Sequence, residues 1–255
     1  MDVKEAVQRQ FGAVAANYTT SAVHVAGPDL AAMLAAVPLR GDERLLDAGT
    51  GTGHTALAFA PRVGHVTAVD LTEPMLAQGR LLAAERGVAN VAFERGDVEH
   101  LPFPDAAFDL VTSRYSAHHV PRPAVAVAEL ARVLRPGGTL LLADVVAPDD
   151  PASDTFLNAI ELLRDTSHVR DHSLAQWRGM LEGVGFVVDE LGVWPLRLEF
   201  KSWVRRMGTP EPTVAQIGAL FDVAPAEVRT ALAVEADHTF TASVALLRGV
   251  RPGHR

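Results

Sequence analysis

The stretch Leu45-Leu46-Asp47-Ala48-Gly49-Thr50-Gly51-Thr52-Gly53-His54-Thr55 constrains this chain more than any other. An apolar run of strand type passes directly into a helical pattern through three glycines at alternate positions. Glycine serves where φ is positive or where a ligand must approach bare backbone, and the start of a helix offers free N–H groups. The pattern predicts a ligand cradle at the carboxyl end of a first strand. Such a loop also serves as a plain strand-to-helix turn, so the residues downstream decide between the two.

Two acidic residues lie downstream at the right intervals. Asp70 closes the second apolar run, Val66-Thr67-Ala68-Val69-Asp70, where a carboxylate accepts both hydroxyls of a ribose. Asp97, in Gly96-Asp97-Val98, comes after the third run and suits an exocyclic amine such as that of adenine; either residue alone also fits a loop or helix-cap role. A dinucleotide fingerprint requires glycine at the sixth position of the loop, and here that position is His54. A glycine loop preceded by an acidic residue, Asp47, suits a cofactor that carries positive charge and no phosphate.

The flanking pattern gives the fold class. Apolar runs at Leu45–Ala48, Val66–Val69, Val91–Glu94, Phe108–Thr112 and Thr139–Val146 alternate with helix candidates at about 54–61, 74–86 and 122–134. Strands separated by helices imply βαβ units and a parallel sheet covered on both faces. Thr72 before Glu73-Pro74 reads as a helix start, and Arg135-Pro136-Gly137 as a helix stop. Upstream, residues 3–37 read as two helices joined by a loop and broken at Gly27-Pro28. Downstream come helices at about 152–164 and 174–182, a strand at about 186–193, an insertion over 195–236 with two or three short helices, and a final strand at Phe240–Leu247.

Composition narrows the partners. Lys and Arg number 23 against 31 Asp and Glu, a formal charge of −8 with no basic block. Nucleic acid and anionic lipid need clustered positive charge, so a small molecule is the expected partner. The chain has no Cys, which excludes disulfides, thiolate-held metals and a cysteine nucleophile. Met1 to Gln10 carries no apolar run of signal-peptide length, and no stretch approaches the roughly 20 apolar residues of a membrane span. A cytoplasmic enzyme without membrane insertion is the expectation.

Five ordered motifs carry a resemblance. Leu46-Asp47-Ala48-Gly49-Thr50-Gly51-Thr52-Gly53, Val69-Asp70-Leu71-Thr72-Glu73-Pro74-Met75-Leu76, Gly96-Asp97-Val98-Glu99-His100-Leu101-Pro102-Phe103, Phe108-Asp109-Leu110-Val111-Thr112-Ser113 and Glu129-Leu130-Ala131-Arg132-Val133-Leu134-Arg135-Pro136-Gly137-Gly138 together resemble the class I S-adenosylmethionine-dependent methyltransferases, within them the UbiE-like group. The likeness is close over residues 40–148 and looser over Phe11–Tyr18 and the late strands.

The resemblance implies a Rossmann-like, doubly wound seven-stranded sheet, mostly parallel, with an antiparallel last strand at the sheet edge. It also implies a site. The loop from Gly49 through Thr50 and Gly51 to Gly53 would lie against the methionine part of S-adenosylmethionine, with Asp47 near its amino group. Asp70 would bind the ribose, Leu71 and Met75 the adenine face, and Asp97 and Val98 the adenine edge. Ser113 and Arg114 would meet the methionine end or the acceptor. Tyr18 either closes over the cofactor or is a core tyrosine. S-adenosylhomocysteine would be the product.

The chemistry would then be an in-line displacement on a cofactor that supplies the electrophile. His118 or His119, just after the fourth strand, is the candidate base, since His titrates near working pH; the alternative is that one shapes the loop and the other faces solvent. The polar segment Leu163 to His172 offers Arg164, His168 or Arg170 to a polar or anionic acceptor. Asp144, Asp149 and Asp150 are the nearest candidates for metal ligands, but Asp149-Asp150-Pro151 reads as a helix start, so no metal is expected. Base methylation of DNA is disfavoured by Ser113-Arg114-Tyr115-Ser116, which departs from the Asn/Asp/Ser-Pro-Pro-aromatic loop, and arsenic methylation by the lack of thiols. The acceptor expected is a small molecule, quinone-like, aromatic or another secondary metabolite. A nicotinamide-dependent oxidoreductase and a non-catalytic cofactor-binding module are the rival readings.

The expected layout is one methyltransferase domain over 1–255. It comprises an N-terminal helical cap (1–40), a cofactor-binding core (41–148), substrate-side helices and the sixth strand (149–194), a helical insertion serving as lid or homodimer surface (195–236), and the last strand and tail (237–255).

Overall fold

The computed structural model describes residues 2–19 and 25–253. A seven-stranded sheet runs in the order β3-β2-β1-β4-β5-β7-β6. Its strands are β1 (Arg44–Ala48), β2 (His65–Asp70), β3 (Val91–Arg95), β4 (Phe108–Arg114), β5 (Leu134–Val146), β6 (Val187–Leu198) and β7 (Phe240–Val250). β1 to β5 pair in parallel, and β7 runs antiparallel to both β5 and β6. The antiparallel last strand is therefore present but does not form the edge: β7 inserts between β5 and β6, and β6 takes the edge. Burial explains the order, because Leu246 and Leu247 of β7 are buried on opposite faces and require cover on both.

Alternation along the central strands distributes the core. Leu45, Leu110 and Leu141 point to the face covered by α2 (Pro28–Ala35) and α3 (His54–Phe59), against Met33 and Phe59. Leu46, Val111, Leu140 and Leu142 point to the opposite face, covered by α5 (Pro123–Val133) and α7 (Leu174–Gly183), against Val127, Leu130, Trp177 and Leu181. The remaining helices are α1 (Val3–Thr19), α4 (Glu73–Glu85) and α6 (Pro151–Arg164), then α8 (Phe200–Met207), α9 (Glu211–Asp222) and α10 (Ala226–Ala231). No helix among the described residues is long and apolar enough to cross a membrane.

The two N-terminal helices form as the periodicity predicts; residues 20–24 of their connection lie outside the described residues. β6 runs five residues beyond its predicted end, to Leu198, because Pro195 to Leu198 pair with Ser243 to Phe240. Pro195, the first residue of the predicted insertion, is tolerated on an edge strand. Three helices then occupy 200–231, and Phe200, Trp203, Val204, Ile217, Phe221 and Val228 bury against α6 and the ends of β5 and β7. α6 starts with Asp150 accepting from the amide of Ser153 at 2.8 Å, and α7 with a capping box between Ser173 and Gln176.

Candidate active site

The carboxyl ends of β1, β2, β3 and β4 open onto a cavity with about 1300 Å³ of empty space, roofed by α1 through Lys4, Val7, Phe11 and Tyr18. Its floor is the glycine loop. Gly49 and Gly53 hold φ of +71° and +83°, and a Cβ at Gly49 would collide with the side chain of Ser116. A Cβ at Gly53 would stand 2.8 Å from Phe93 Cε1. The loop is bare because its packing requires it.

Asp70 and Asp47 divide the work at this loop. Asp70 lines the cavity, and its carboxylate accepts from the amide of Gly51 at 2.8 Å and the amide of Thr72 at 2.8 Å. Burial pushes its carboxyl up, against the pull of those amides. Asp47 is 1% exposed and does not line the cavity. Its oxygens accept from Thr50 Oγ1 at 2.6 Å, Thr112 Oγ1 at 2.7 Å and the amide of Ala56 at 3.1 Å. The sequence reading puts Asp47 near a cofactor amino group; in the structure its carboxylate is taken up by these three donors. Its side chain points beneath the loop, where three donors use it to tie β1, β4 and α3 together.

Thr50, Leu71, Met75, Asp97, Val98, Ser113 and Arg114 all line the cavity, as do Gly49, Gly51 and Tyr18. Gly53 does not; it shapes the turn from below. Asp97 sits 2.6 Å from Lys4 Nζ, which also reaches Glu99 at 2.5 Å. Against the upward push of burial, Lys4 and the amide of Glu99 hold the Asp97 carboxyl below its usual range. Arg114 is turned toward Asp29 of α2, with Nε donating at 2.5 Å, and its guanidinium lies 4.5 Å from the Tyr115 ring centre. Its charge is thus neutralised inside the fold. Tyr18 Oη donates to Met207 Sδ at 3.0 Å, so the residue both lines the cavity and anchors α1 to α8.

A second, smaller cavity of about 560 Å³ adjoins the first, and Phe11, Tyr18, Tyr115 and His119 form part of both walls. Arg164 of the polar segment lines it. His168 instead packs on His118 with its Nε2 3.1 Å from Asn158 Oδ1, and Arg170 pairs with Asp154 at 2.5 Å. Trp203 lines the second cavity, Trp177 the first, and Trp194 packs against the sheet core.

The two candidate bases occupy opposite electrostatic states. His118 Nδ1 lies 2.6 Å from Asp144 Oδ1. Although burial opposes it, the Asp144 carboxylate raises the His118 imidazole to about 9, so it is a cation at neutral pH. Asp144 is accordingly the counter-ion of a histidine, and Asp150 is a helix cap. His119 Nδ1 donates to the carbonyl of Ser167 at 3.1 Å, which leaves the lone pair on Nε2. Burial, and then the adjacent His118 cation, hold His119 far below its ordinary value.

Sequence reasoning overlooked several contributors: Lys4, Asp29, Tyr115, Ser116, Asp165 and Asp171. Asp144, weighed in the sequence only as a metal ligand, left a clear trace, a single carboxylate inside the apolar run Leu140 to Val146 at a strand's carboxyl end. Tyr115 left none, yet it holds φ +52° and lines both cavities.

A cavity at the carboxyl ends of a sheet ordered in this way, floored by a glycine loop with an acidic residue after the second strand, is the arrangement of a nucleotide-type cofactor site in an α/β enzyme. A methyltransferase-domain family model matches residues 46–142. The uncharacterized methyltransferase YcgJ of Bacillus subtilis is 38% identical over 246 residues, covering 94% of this chain and 97% of its own length. The crystal structure of YcgJ superposes with a TM-score of 0.85, covering 89% of this chain and 99% of that one. The ubiquinone/menaquinone biosynthesis C-methyltransferase UbiE of Methylobacterium nodulans is 33% identical over 168 residues, 65% of each chain. Phosphoethanolamine N-methyltransferase 2 of Haemonchus contortus, solved with S-adenosyl-L-methionine, shares the fold at 20% identity, with a TM-score of 0.66 over 99% of this chain and 60% of that one. The chain belongs to the class I S-adenosylmethionine-dependent methyltransferases and is an enzyme of that class with S-adenosylmethionine as its cofactor.

The residues present fit that cofactor. It carries no phosphate, which suits a loop whose sixth position is His54, and the cavity supplies an acceptor carboxylate at Asp70 beside the apolar surfaces of Leu71, Met75 and Val98.

Proposed function

We propose that this enzyme methylates a small, oxygen-bearing organic acceptor, aromatic or quinone-like, in the cytoplasm, with the acceptor seated in the second cavity. The carrying observation is the wall shared by Phe11, Tyr18, Tyr115 and His119, which brings two cavities of different chemistry into contact. S-adenosylmethionine supplies an electrophilic methyl group on a sulfonium. Asp70 binds the ribose hydroxyls, Leu71 and Met75 sandwich the adenine, and Asp97 and Val98 meet its polar edge. Gly49 to Gly51 and Ser113 receive the methionine end. Arg114, locked to Asp29, acts as a rigid wall and not as a ligand for charge. α1 excludes water from above, since Lys4 and Tyr18 fasten its two ends to the core. The N-terminal cap and the insertion together supply the acceptor side, through Phe11, Trp203 and Arg206.

Calorimetric titration with S-adenosylhomocysteine tests the cofactor assignments. The native protein should bind, and Asp70→Ala should lose binding by about 100-fold, the loss of a doubly hydrogen-bonded charged acceptor, with an unchanged far-ultraviolet spectrum. Equal affinity in the two proteins would remove Asp70 from the site.

A further inference from the structure

Among the described residues, four line both cavities: Phe11, Tyr18, Tyr115 and His119. All four carry rings. The chain has two tyrosines and both stand at this neck, a concentration that core packing does not require. The Phe11 ring meets Tyr18 edge to face with centres 5.5 Å apart, and meets His119 in the same way at 4.8 Å. The neck also adjoins the glycine loop, since a Cβ at Gly49 would collide with Ser116, the residue after Tyr115.

The backbone holds Tyr115 there at a cost. Its φ is +52°, a left-handed conformation that glycine adopts freely and a bulky side chain rarely. The bend is pinned to β5 on both sides of the residue: the Tyr115 amide donates to the Ala143 carbonyl at 2.9 Å, and the Ala117 amide to Asp144 Oδ2 at 2.8 Å. Strain retained beside a cavity points to a use for the side chain. The hydroxyl of Tyr115 is taken by Asp29, and burial, then that carboxylate, push the phenol up. Tyr18 spends its hydroxyl on Met207 Sδ. His119 has Nδ1 on the Ser167 carbonyl and Nε2 3.9 Å from Asp165 Oδ2. What these residues have left for the neck is their rings.

An aromatic ring attracts a cation through its face. Beside a sulfonium this differs from a carboxylate in one respect, because a carboxylate within reach of the methyl group could accept it. No carboxylate among the described residues lines both cavities. The cations nearest the rings come with carboxylates of their own: Asp29 on Arg114, Asp144 on His118, and Glu161 facing Arg164 and Arg206. From this placement, and resting on the cofactor assignments proposed above, we infer that Phe11, Tyr18, Tyr115 and His119 form an aromatic collar that holds the positive charge of the sulfonium. The collar attracts the methylated cofactor and has no such hold on S-adenosylhomocysteine, whose thioether is neutral. It thereby favours exchange of product for fresh cofactor. Tyr115 is a positioning residue in this arrangement, and its ring, not its hydroxyl, is the part that acts.

The test is calorimetric titration of the full chain with three ligands. S-adenosylmethionine and sinefungin carry a positive charge at the reacting position, and S-adenosylhomocysteine carries none there. Tyr115→Leu should weaken the two charged ligands about fivefold and S-adenosylhomocysteine by less than about twofold. Tyr115→Phe, which keeps the ring and drops the hydroxyl, should restore the preference. Should Tyr115→Leu fail to fold, Phe11→Leu on the roof helix should show the same split between charged and neutral ligands. Equal weakening of all three ligands in the leucine variants, weakening of none, or a Tyr115→Phe protein that behaves as Tyr115→Leu does, overturns the collar. A native protein that binds none of the three would instead overturn the cofactor assignment.

Discussion

Asp144 holds His118 at two points and Ala117 at a third: its Oδ1 lies 2.6 Å from His118 Nδ1, while its Oδ2 accepts from the amides of Ala117 at 2.8 Å and of His118 at 3.2 Å. One carboxylate thus fixes both the ring and the short turn that carries it, and Val145 donates to it as well. Rotating the imidazole would give up its bond to Asp144 Oδ1, while Oδ2 keeps the turn in place.

This pair predicts a pH-dependent contribution to stability. His118 is raised from 6.5 to about 9, so its contribution is complete below 6.5 and is lost as pH rises through 9. On the acid side, burial pushes His119 and His168 down and the carboxyls of Asp47, Asp70 and Asp171 up, and the two groups act in opposite senses. The difference in unfolding free energy between the native protein and His118→Gln isolates the pair: in urea titrations it should be constant below 6.5 and shrink by about 1.4 kcal/mol per pH unit between 6.5 and 9. A difference that does not change with pH would mean that His118 is not the titrating group.

The pair Arg114 and Asp29 sits deeper, with side chains 2% and 3% exposed. Asp29→Asn keeps the shape and removes the counter-charge, so unfolding stability should fall by about 3–5 kcal/mol. A loss below about 1 kcal/mol in a urea titration would show that Arg114 finds compensation elsewhere.

Gly53→Ala places a β-carbon at φ +83° and 2.8 Å from Phe93. The left-handed conformation alone costs roughly 1–2 kcal/mol, and the ring must shift besides. Thermal melts should show the lower stability. Calorimetry should show weakened S-adenosylhomocysteine binding, since the loop and Phe93 cannot both keep their places.

Lys4 ties the start of α1 to Asp97 and Glu99, with side-chain exposure of 25%. Lys4→Met should weaken S-adenosylhomocysteine about fivefold, close to 1 kcal/mol, by loosening the roof. Added salt should weaken native binding and leave the variant nearly unchanged. Equal salt dependence in both would place the effect elsewhere.

The strand and helix pattern, the glycine loop and Asp70 were readable in the sequence because each is a local demand. Apolar runs must be buried on both faces, a positive φ needs glycine, and a carboxylate at a strand's end is set by chain order. The position of β7 between β5 and β6, and the extension of β6 past Pro195, depend on which strand covers which. That is a comparison among distant segments to which periodicity is blind. Asp47 shows the same limit within the site: its identity and place are local, but whether it faces the ligand or the interior turned on Thr112 of another strand.

The sequence by itself determined the class of fold, the cofactor and most of the called residues that line the first cavity. Only the tertiary structure decided the states of the two histidines. Neighbours in sequence and alike in intrinsic chemistry, His118 and His119 differ because Asp144 faces one ring and a carbonyl of Ser167 the other. Protonation in a buried site depends on the groups brought near by folding, and those come from residues 26 and 48 positions away in the chain.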